Sequence, residues 1–107
     1  MRETPLEDLD LSVFAPLVNS VFRARQDAGE PIELVLVEAK PLQVSGADAA
    51  SRARSFSLIF HGPEKFPLPQ KTHAFEHEKL GRFALFIVPI GRGPGVFRYQ
   101  AVFNRAG

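Results

Sequence analysis

The chain has 107 residues, of which 45% are hydrophobic, and it contains ten Phe but neither Cys nor Trp. A domain of this length buries about two-thirds of the surface that its unfolded chain exposes, so one core forms without disulfides or a structural metal. The formal net charge of +1 at pH 7 argues against nucleic-acid binding, because such proteins usually carry a clear basic excess.

The absence of Cys excludes disulfides, thiolate catalysis and Cys-based zinc sites. No apolar run approaches the roughly 18 residues that a membrane helix needs, the longest being residues 83–90. The acidic start of the chain lacks the apolar segment of a signal peptide. We therefore expect a cytoplasmic protein without membrane insertion.

The N-terminal region combines a polar segment with a short helical pattern. Residues 1–10 are acidic and contain Pro5, so we expect a flexible acidic arm before a single β-barrel-like domain over residues 11–107. From residue 6 to residue 18, apolar side chains recur at spacings of three and four, as in an amphipathic helix. Because Pro16 interrupts this pattern, we expect one or two broken turns that pack Phe14 and Leu17 on the core.

After residue 20 the apolar period changes from three or four to two, which indicates β-strands. We predict six strands, over residues 21–25, 32–39, 52–61, 72–77, 82–90 and 96–104. Turns are expected at residues 27–30, 77–81 and 91–95, and a mobile loop at residues 45–51. Residues 62–70 hold three prolines and should wrap the surface in extended form. The predicted fold is all-β, or β-rich α+β. It is a six-stranded, mainly antiparallel meander that curls into a small barrel or roll, with one short N-terminal helix.

Three histidines are weak candidates for a metal site: His61, His73 and His77. His73 and His77 share a strand face, but at roughly 3.3 Å per residue they lie about 13 Å apart along it. Two ligands of one zinc must be much closer, because each nitrogen bonds at about 2.0–2.1 Å. Surface or edge histidines near a turn are the more ordinary interpretation, so we predict no metal and no cofactor.

Other patterns that could carry chemistry have simpler explanations. The glycine-rich residues 91–95 lie between two strands, so a hairpin explains them better than a phosphate-binding loop does. Six arginines lie on or beside predicted strands, where cross-strand pairs with Glu33, Glu38 and Glu76 are the common outcome. No serine lies in a nucleophile-elbow pattern, and we assign no catalytic residue.

Outward-facing strand positions carry more apolar side chains than one interior requires. Val35, Val37 and Ile59 alternate with core positions and must be covered by the helix, by the proline-rich segment or by another protein. We therefore predict these three residues as interaction residues.

Three segments of the chain, residues 14–22, 68–90 and 99–104, resemble a family of small bacterial domains, the domain of unknown function 6916. The resemblance covers residues 11–104, nearly the whole chain. It implies a structural or adaptor role, and it brings no reaction, cofactor or catalytic residue.

The preferred function is a non-enzymatic protein-interaction or structural module that binds a protein partner or self-associates. The alternative is a small-molecule-binding β-barrel that uses a barrel mouth or the groove under residues 62–70. An enzyme is the third and least favoured hypothesis.

Overall fold

The computed structural model describes residues 2–27, 29–42 and 55–104. Three short helical segments come first: a 3-10 turn at Leu6–Asp8, helix α1 at Leu11–Phe14 and a 3-10 turn at Ala15–Leu17. Six strands follow, β1 (Val21–Ala24), β2 (Ile32–Pro41), β3 (Ser55–Pro63), β4 (Lys71–His77), β5 (Gly81–Gly93) and β6 (Val96–Asn104). The broken helical segment expected over residues 6–18 is thus confirmed.

The strands form one antiparallel sheet that closes on itself in the order β1-β2-β3-β6-β5-β4. The ring closes because β1 pairs with β2 on one side and with β4 on the other. The predicted fold class is confirmed. The meander consists of two three-stranded halves, β1-β2-β3 and β4-β5-β6. Since β3 pairs with β6, strands β3 and β4 lie opposite each other in the ring, and their connection crosses one end of it.

One end of the ring is filled by the N-terminal helical segment. The Asp10 carboxylate caps α1 by accepting a hydrogen bond from the Val13 N–H at 3.2 Å, and the segment places Phe14 inside the ring. The Phe14 ring lies 5.8–6.3 Å, centroid to centroid, from four phenylalanines of four strands: Phe22, Phe56, Phe83 and Phe103. Spacings of 4.5–7 Å are those at which aromatic pairs attract beyond simple burial. This end of the interior is therefore occupied by side chains.

The opposite end is closed by residues 64–70, which we call the strap. Leu68 of the strap is 2% exposed, and its N–H donates to the Tyr99 hydroxyl at 2.8 Å. Burial raises the pKa of that hydroxyl, which the hydrogen bond from Leu68 partly opposes, so Tyr99 stays protonated. With both ends closed and the middle filled by residues such as Leu34, Phe60 and Phe75, the ring encloses a packed core.

Two strands extend beyond their predicted ends. The prediction that Gly62 and Pro63 belong to the surface wrap is wrong, because β3 continues through both and pairs them with Phe97 and Val96. Strand β5 continues to Gly93 with a register shift between Pro89 and Gly91, so the turn is shorter than predicted. A bulge of this kind re-aims the strand without ending the pairing.

The predicted loop at residues 45–51 and the predicted start of the third strand at residues 52–54 lie outside the described residues. Parts of residues 2–10, where we expected a flexible arm, contact the ring. Leu9 is fully buried, the Thr4 N–H donates to the Arg82 carbonyl at 2.8 Å, and the Arg82 N–H donates to the Arg2 carbonyl at 2.8 Å. Burial of Leu9 supplies the driving force for this docking.

Replacing Phe14 by Ala should lower the free energy of unfolding by about 3–5 kcal/mol, because it leaves a cavity between four aromatic rings. Urea unfolding followed by circular dichroism measures this change. The matched control is Phe66→Ala, which deletes the same side chain at a position that is 58% exposed and should change stability by no more than about 0.5 kcal/mol. Equal losses in both variants would contradict the central role of Phe14.

The variant Tyr99→Phe should lower the free energy of unfolding by about 1–3 kcal/mol, since it leaves the buried Leu68 N–H without its acceptor. The Leu68 amide should also exchange with solvent faster. An unchanged exchange rate at Leu68 would show that the strap is held by other contacts.

Candidate functional site

A broad apolar groove, which we call the valine groove, lies on the outer face of β1, β2 and β3. It has a volume of about 1260 Å³. Its apolar lining includes Val21, Val35, Val37, Phe66 and Val96. Val21 is 45% exposed and Phe66 is 58% exposed, so large apolar side chains face solvent here. Contiguous apolar surface of this kind marks interaction sites in soluble proteins.

Polar groups in the valine groove lie beside the apolar ones. Arg23 and Glu33 face each other across β1 and β2, with Arg23 Nε 3.7 Å from Glu33 Oε2. His61 is the β3 partner of Val35 and is half-buried among the valines. The groove therefore combines an apolar strip with one ion pair and one imidazole.

The three predicted interaction residues occupy different environments. Val35 and Val37 are half-buried and line the valine groove, and Val37 lies at the register shift of β2 between Leu36 and Glu38. Ile59 is only 7% exposed, because this stretch of β3 is buried on both faces, as Ser57 at 2% exposure also shows. Any contact with a partner through this face therefore has to use Val35 and Val37 rather than Ile59.

A second opening, which we call the seam, lies where β5 and β6 separate. Pairing between the two strands runs from Gly93↔Val96 to Val88↔Gln100 and, among the described residues, goes no further. Below that point a groove of about 740 Å³ lies between β5 and β6. Its outer rim carries Phe86, which is 50% exposed, and Val102, which is 55% exposed.

The ionic groups at the lower end of the seam pair with one another. Arg25 Nε donates to the Glu76 carboxylate at 2.6 Å, and Arg82 Nε lies 3.4 Å from the same oxygen. The hydrogen bond from Arg25 holds the pKa of the Glu76 carboxyl below its ordinary value, against some desolvation, with Arg82 and Arg23 adding attraction. Cross-strand pairing of the arginines is thus confirmed for Arg23, Arg25 and Arg82.

The three histidines lie in three separate places. His73 and His77 share the inward face of β4, as the alternation predicts, whereas His61 faces the valine groove. The expectation that they are surface or edge histidines is wrong for His73 and His77, which are 3% and 4% exposed. Among the described residues no three His, Asp or Glu side chains come close enough together to hold a metal ion.

In the described part of the chain, a partly buried Ser–His pair resembles catalytic machinery. Ser20 Oγ lies 2.8 Å from His77 Nε2. However, the Lys79 N–H donates to His77 Nδ1 at 3.0 Å, which assigns the imidazole proton to Nε2. That proton is donated to Ser20, whose hydroxyl in turn donates to the Leu17 carbonyl. His77 thus cannot accept the Ser20 proton as a general base would, and the pair instead ties the helical segment to β4.

The protonation of His77 should make stability depend on pH. Burial lowers the pKa of His77, with Glu78 opposing and Lys79 adding to the shift. In the unfolded chain the pKa is about 6.5. As the pH falls below that value the unfolded state takes up the proton first, so the free energy of unfolding decreases until the folded pKa is passed.

Urea unfolding at a series of pH values between about 7.5 and 5.5 measures this loss. His77→Gln should flatten this part of the pH profile, although it lowers stability at neutral pH. The matched control His61→Gln removes a half-exposed imidazole that makes no such buried contact. If His77→Gln keeps the full pH slope, another group is responsible for it.

The fold and its surfaces define a small all-β domain with a filled interior, an apolar outer groove and an open strand edge. Among the described residues, no helix is long and apolar enough to cross a membrane. The family model for the domain of unknown function DUF6916 matches residues 9–103, and the chain belongs to this family. The resemblance inferred over residues 11–104 is thereby confirmed. The chain has no significant match among curated proteins or among solved structures.

Sequence reasoning missed the seam and the partly buried Ser20–His77 pair. The alternation in β5 does place Phe86 opposite Phe83, Leu85 and Ile87, so an exposed Phe86 was predictable. The point at which β5 leaves β6 was not, because it depends on which strands pair.

Proposed function

We propose that the domain is a non-enzymatic protein-interaction or structural module, and that the valine groove docks a second copy of this chain. The observation that carries the proposal is the contrast between the two sides of the sheet. The interior is filled by side chains, whereas Val21, Val35, Val37 and Phe66 form an apolar groove on the outside. Cytoplasmic location remains our expectation, supported by the Cys-free composition.

The filled interior favours this proposal over a small-molecule-binding barrel. A ligand inside the ring would have to displace Phe14 from one end or Leu68 from the other, and both are at most 2% exposed. An enzymatic role has less support still, because the Ser20–His77 pair is arranged as a structural hydrogen-bond chain.

The charges around the valine groove favour a second copy as the partner. Arg23 and Glu33 stand side by side in the groove and are both solvent-exposed. In a two-fold assembly, each guanidinium can therefore approach the carboxylate of the other copy. The net charge of +1 adds almost no repulsion between copies.

Light scattering over a concentration series tests the proposal. The wild-type mass should rise from the monomer towards the dimer, and Val37→Asp should keep it at the monomer value, because a carboxylate in the apolar interface is left without a partner. We expect Val37→Asp to raise the dissociation constant of the dimer by at least about tenfold.

The matched control is Ile90→Asp, which places the same charge at an exposed apolar position outside the groove, 41% exposed in the monomer. Circular dichroism should show that both variants are folded. A wild-type chain that stays monomeric at every concentration, or a Val37→Asp variant that dimerises like the wild type, would contradict the proposal.

A further inference from the structure

The seam exposes main-chain groups as well as apolar side chains. In an antiparallel sheet the backbone N–H and C=O of one residue point to the same neighbouring strand, and the next residue points to the other. The N–H and C=O of Arg82 both bond to the N-terminal segment and hence point away from β4. Because the direction alternates from one residue to the next, the backbone N–H and C=O groups of Ala84, Phe86 and Val88 also point away from β4.

The backbone of β6 faces the seam in the same way. Val88 is the β5 partner of Gln100, and pairing stops there in the described part of the chain. Since Val88 points its backbone groups towards β6, Gln100 points its own towards β5, and so do Val102 and Asn104. Two strand edges therefore face each other across the seam without forming a ladder at Ala84, Phe86, Val102 and Asn104.

The N-terminal segment shows that this edge accepts main-chain hydrogen bonds from an added segment. Glu3 forms a parallel bridge with Arg82, held by the Thr4 N–H to the Arg82 carbonyl and by the Arg82 N–H to the Arg2 carbonyl, both at 2.8 Å. This addition stops at Pro5, which has no N–H, and the chain then turns into the 3-10 segment. Among the described residues, no further bridge to this edge follows Glu3↔Arg82.

We propose that the seam binds an extended peptide segment of a partner protein by strand addition between β5 and β6. A peptide backbone is the ligand that matches this site, because it supplies donors and acceptors at the repeat of the two edges. This proposal shares with the proposed function only the assumption that the domain binds proteins. The seam and the valine groove are separate sites.

The dimensions and lining of the seam specify the segment. The open edge of β5 covers residues 83–87, about 16 Å at roughly 3.3 Å per residue, so four or five residues of the partner fit. Outward side chains of that segment would meet Phe86, Val102 and Leu6. Inward ones must be small, because Phe83 and Leu85 are already buried at 6% and 4% exposure. The preferred segment is hence apolar on both faces, because the ionic groups at the lower end of the seam already pair with one another.

Amide hydrogen exchange by NMR tests the open edge in the free protein. The amides of Ala84, Phe86 and Val102 should exchange faster than the amide of Leu85, which points to β4. Equal protection of all of them would show that β5 and β6 are paired along their whole length and would overturn the proposal.

Binding is tested with a capped seven-residue peptide of alternating Val and Thr, and with the same peptide N-methylated at alternate residues. The first should slow the exchange of the Ala84, Phe86 and Val102 amides. The second keeps the side chains but lacks donors towards one edge, so it should bind at least about tenfold more weakly. Equal binding of both peptides, or no binding of either at about 1 mM, would overturn the proposal.

A matched pair of variants locates the site. Val102→Asp places a charge on the rim of the seam and should weaken the unmodified peptide about tenfold or more, whereas Ile90→Asp, outside the seam, should not. The solution mass from light scattering reports separately on dimer formation through the valine groove. Val102→Asp should leave that mass unchanged. Peptide binding that is insensitive to Val102→Asp overturns strand addition, whatever the mass measurement shows for the groove.

Discussion

The Phe14 ring is the point on which the rest of the fold depends. It contacts phenylalanines from β1, β3, β5 and β6, so four of the six strands converge on one side chain that belongs to none of them. A closed ring of short strands needs its ends filled, because an empty end would leave apolar side chains without contacts. The helical segment fills one end with Phe14, and the strap fills the other with Leu68.

Because side chains fill the interior, both proposed binding sites lie on the outside of the ring. The valine groove and the seam differ in what they offer: the groove offers side chains on an intact sheet, and the seam offers backbone edges between two strands that separate. Side-chain surfaces recognise shape and apolar area, whereas strand edges recognise an extended backbone. The two proposed sites share no lining residue, so the proposals are compatible with two partners bound at once.

Buried polar groups in this protein serve the architecture. His77 donates a hydrogen bond to Ser20, whose hydroxyl donates to the Leu17 carbonyl, and this chain of hydrogen bonds fixes the helical segment on β4. The Tyr99 hydroxyl accepts from the Leu68 N–H and so holds the strap. Each group lies where two parts of the chain that are distant in sequence meet. Buried hydrogen bonds of this kind specify one arrangement, because leaving their partners unsatisfied is costly.

The β class, the broken N-terminal helical segment and the inward faces of the strands were predictable from the amino-acid sequence. Those features follow from local periodicity, as with Phe22 and Ala24 in β1 or Tyr99 and Ala101 in β6. Local alternation also marked Val35 and Val37 as outward-facing. The strand order, the burial of Ile59, the docking of Leu9 and the point at which β5 leaves β6 became visible in the folded chain and were not predictable before it. The alternation of apolar and polar residues along a strand shows which face of the sheet a side chain occupies. The choice of neighbouring strand instead depends on packing between residues far apart in sequence.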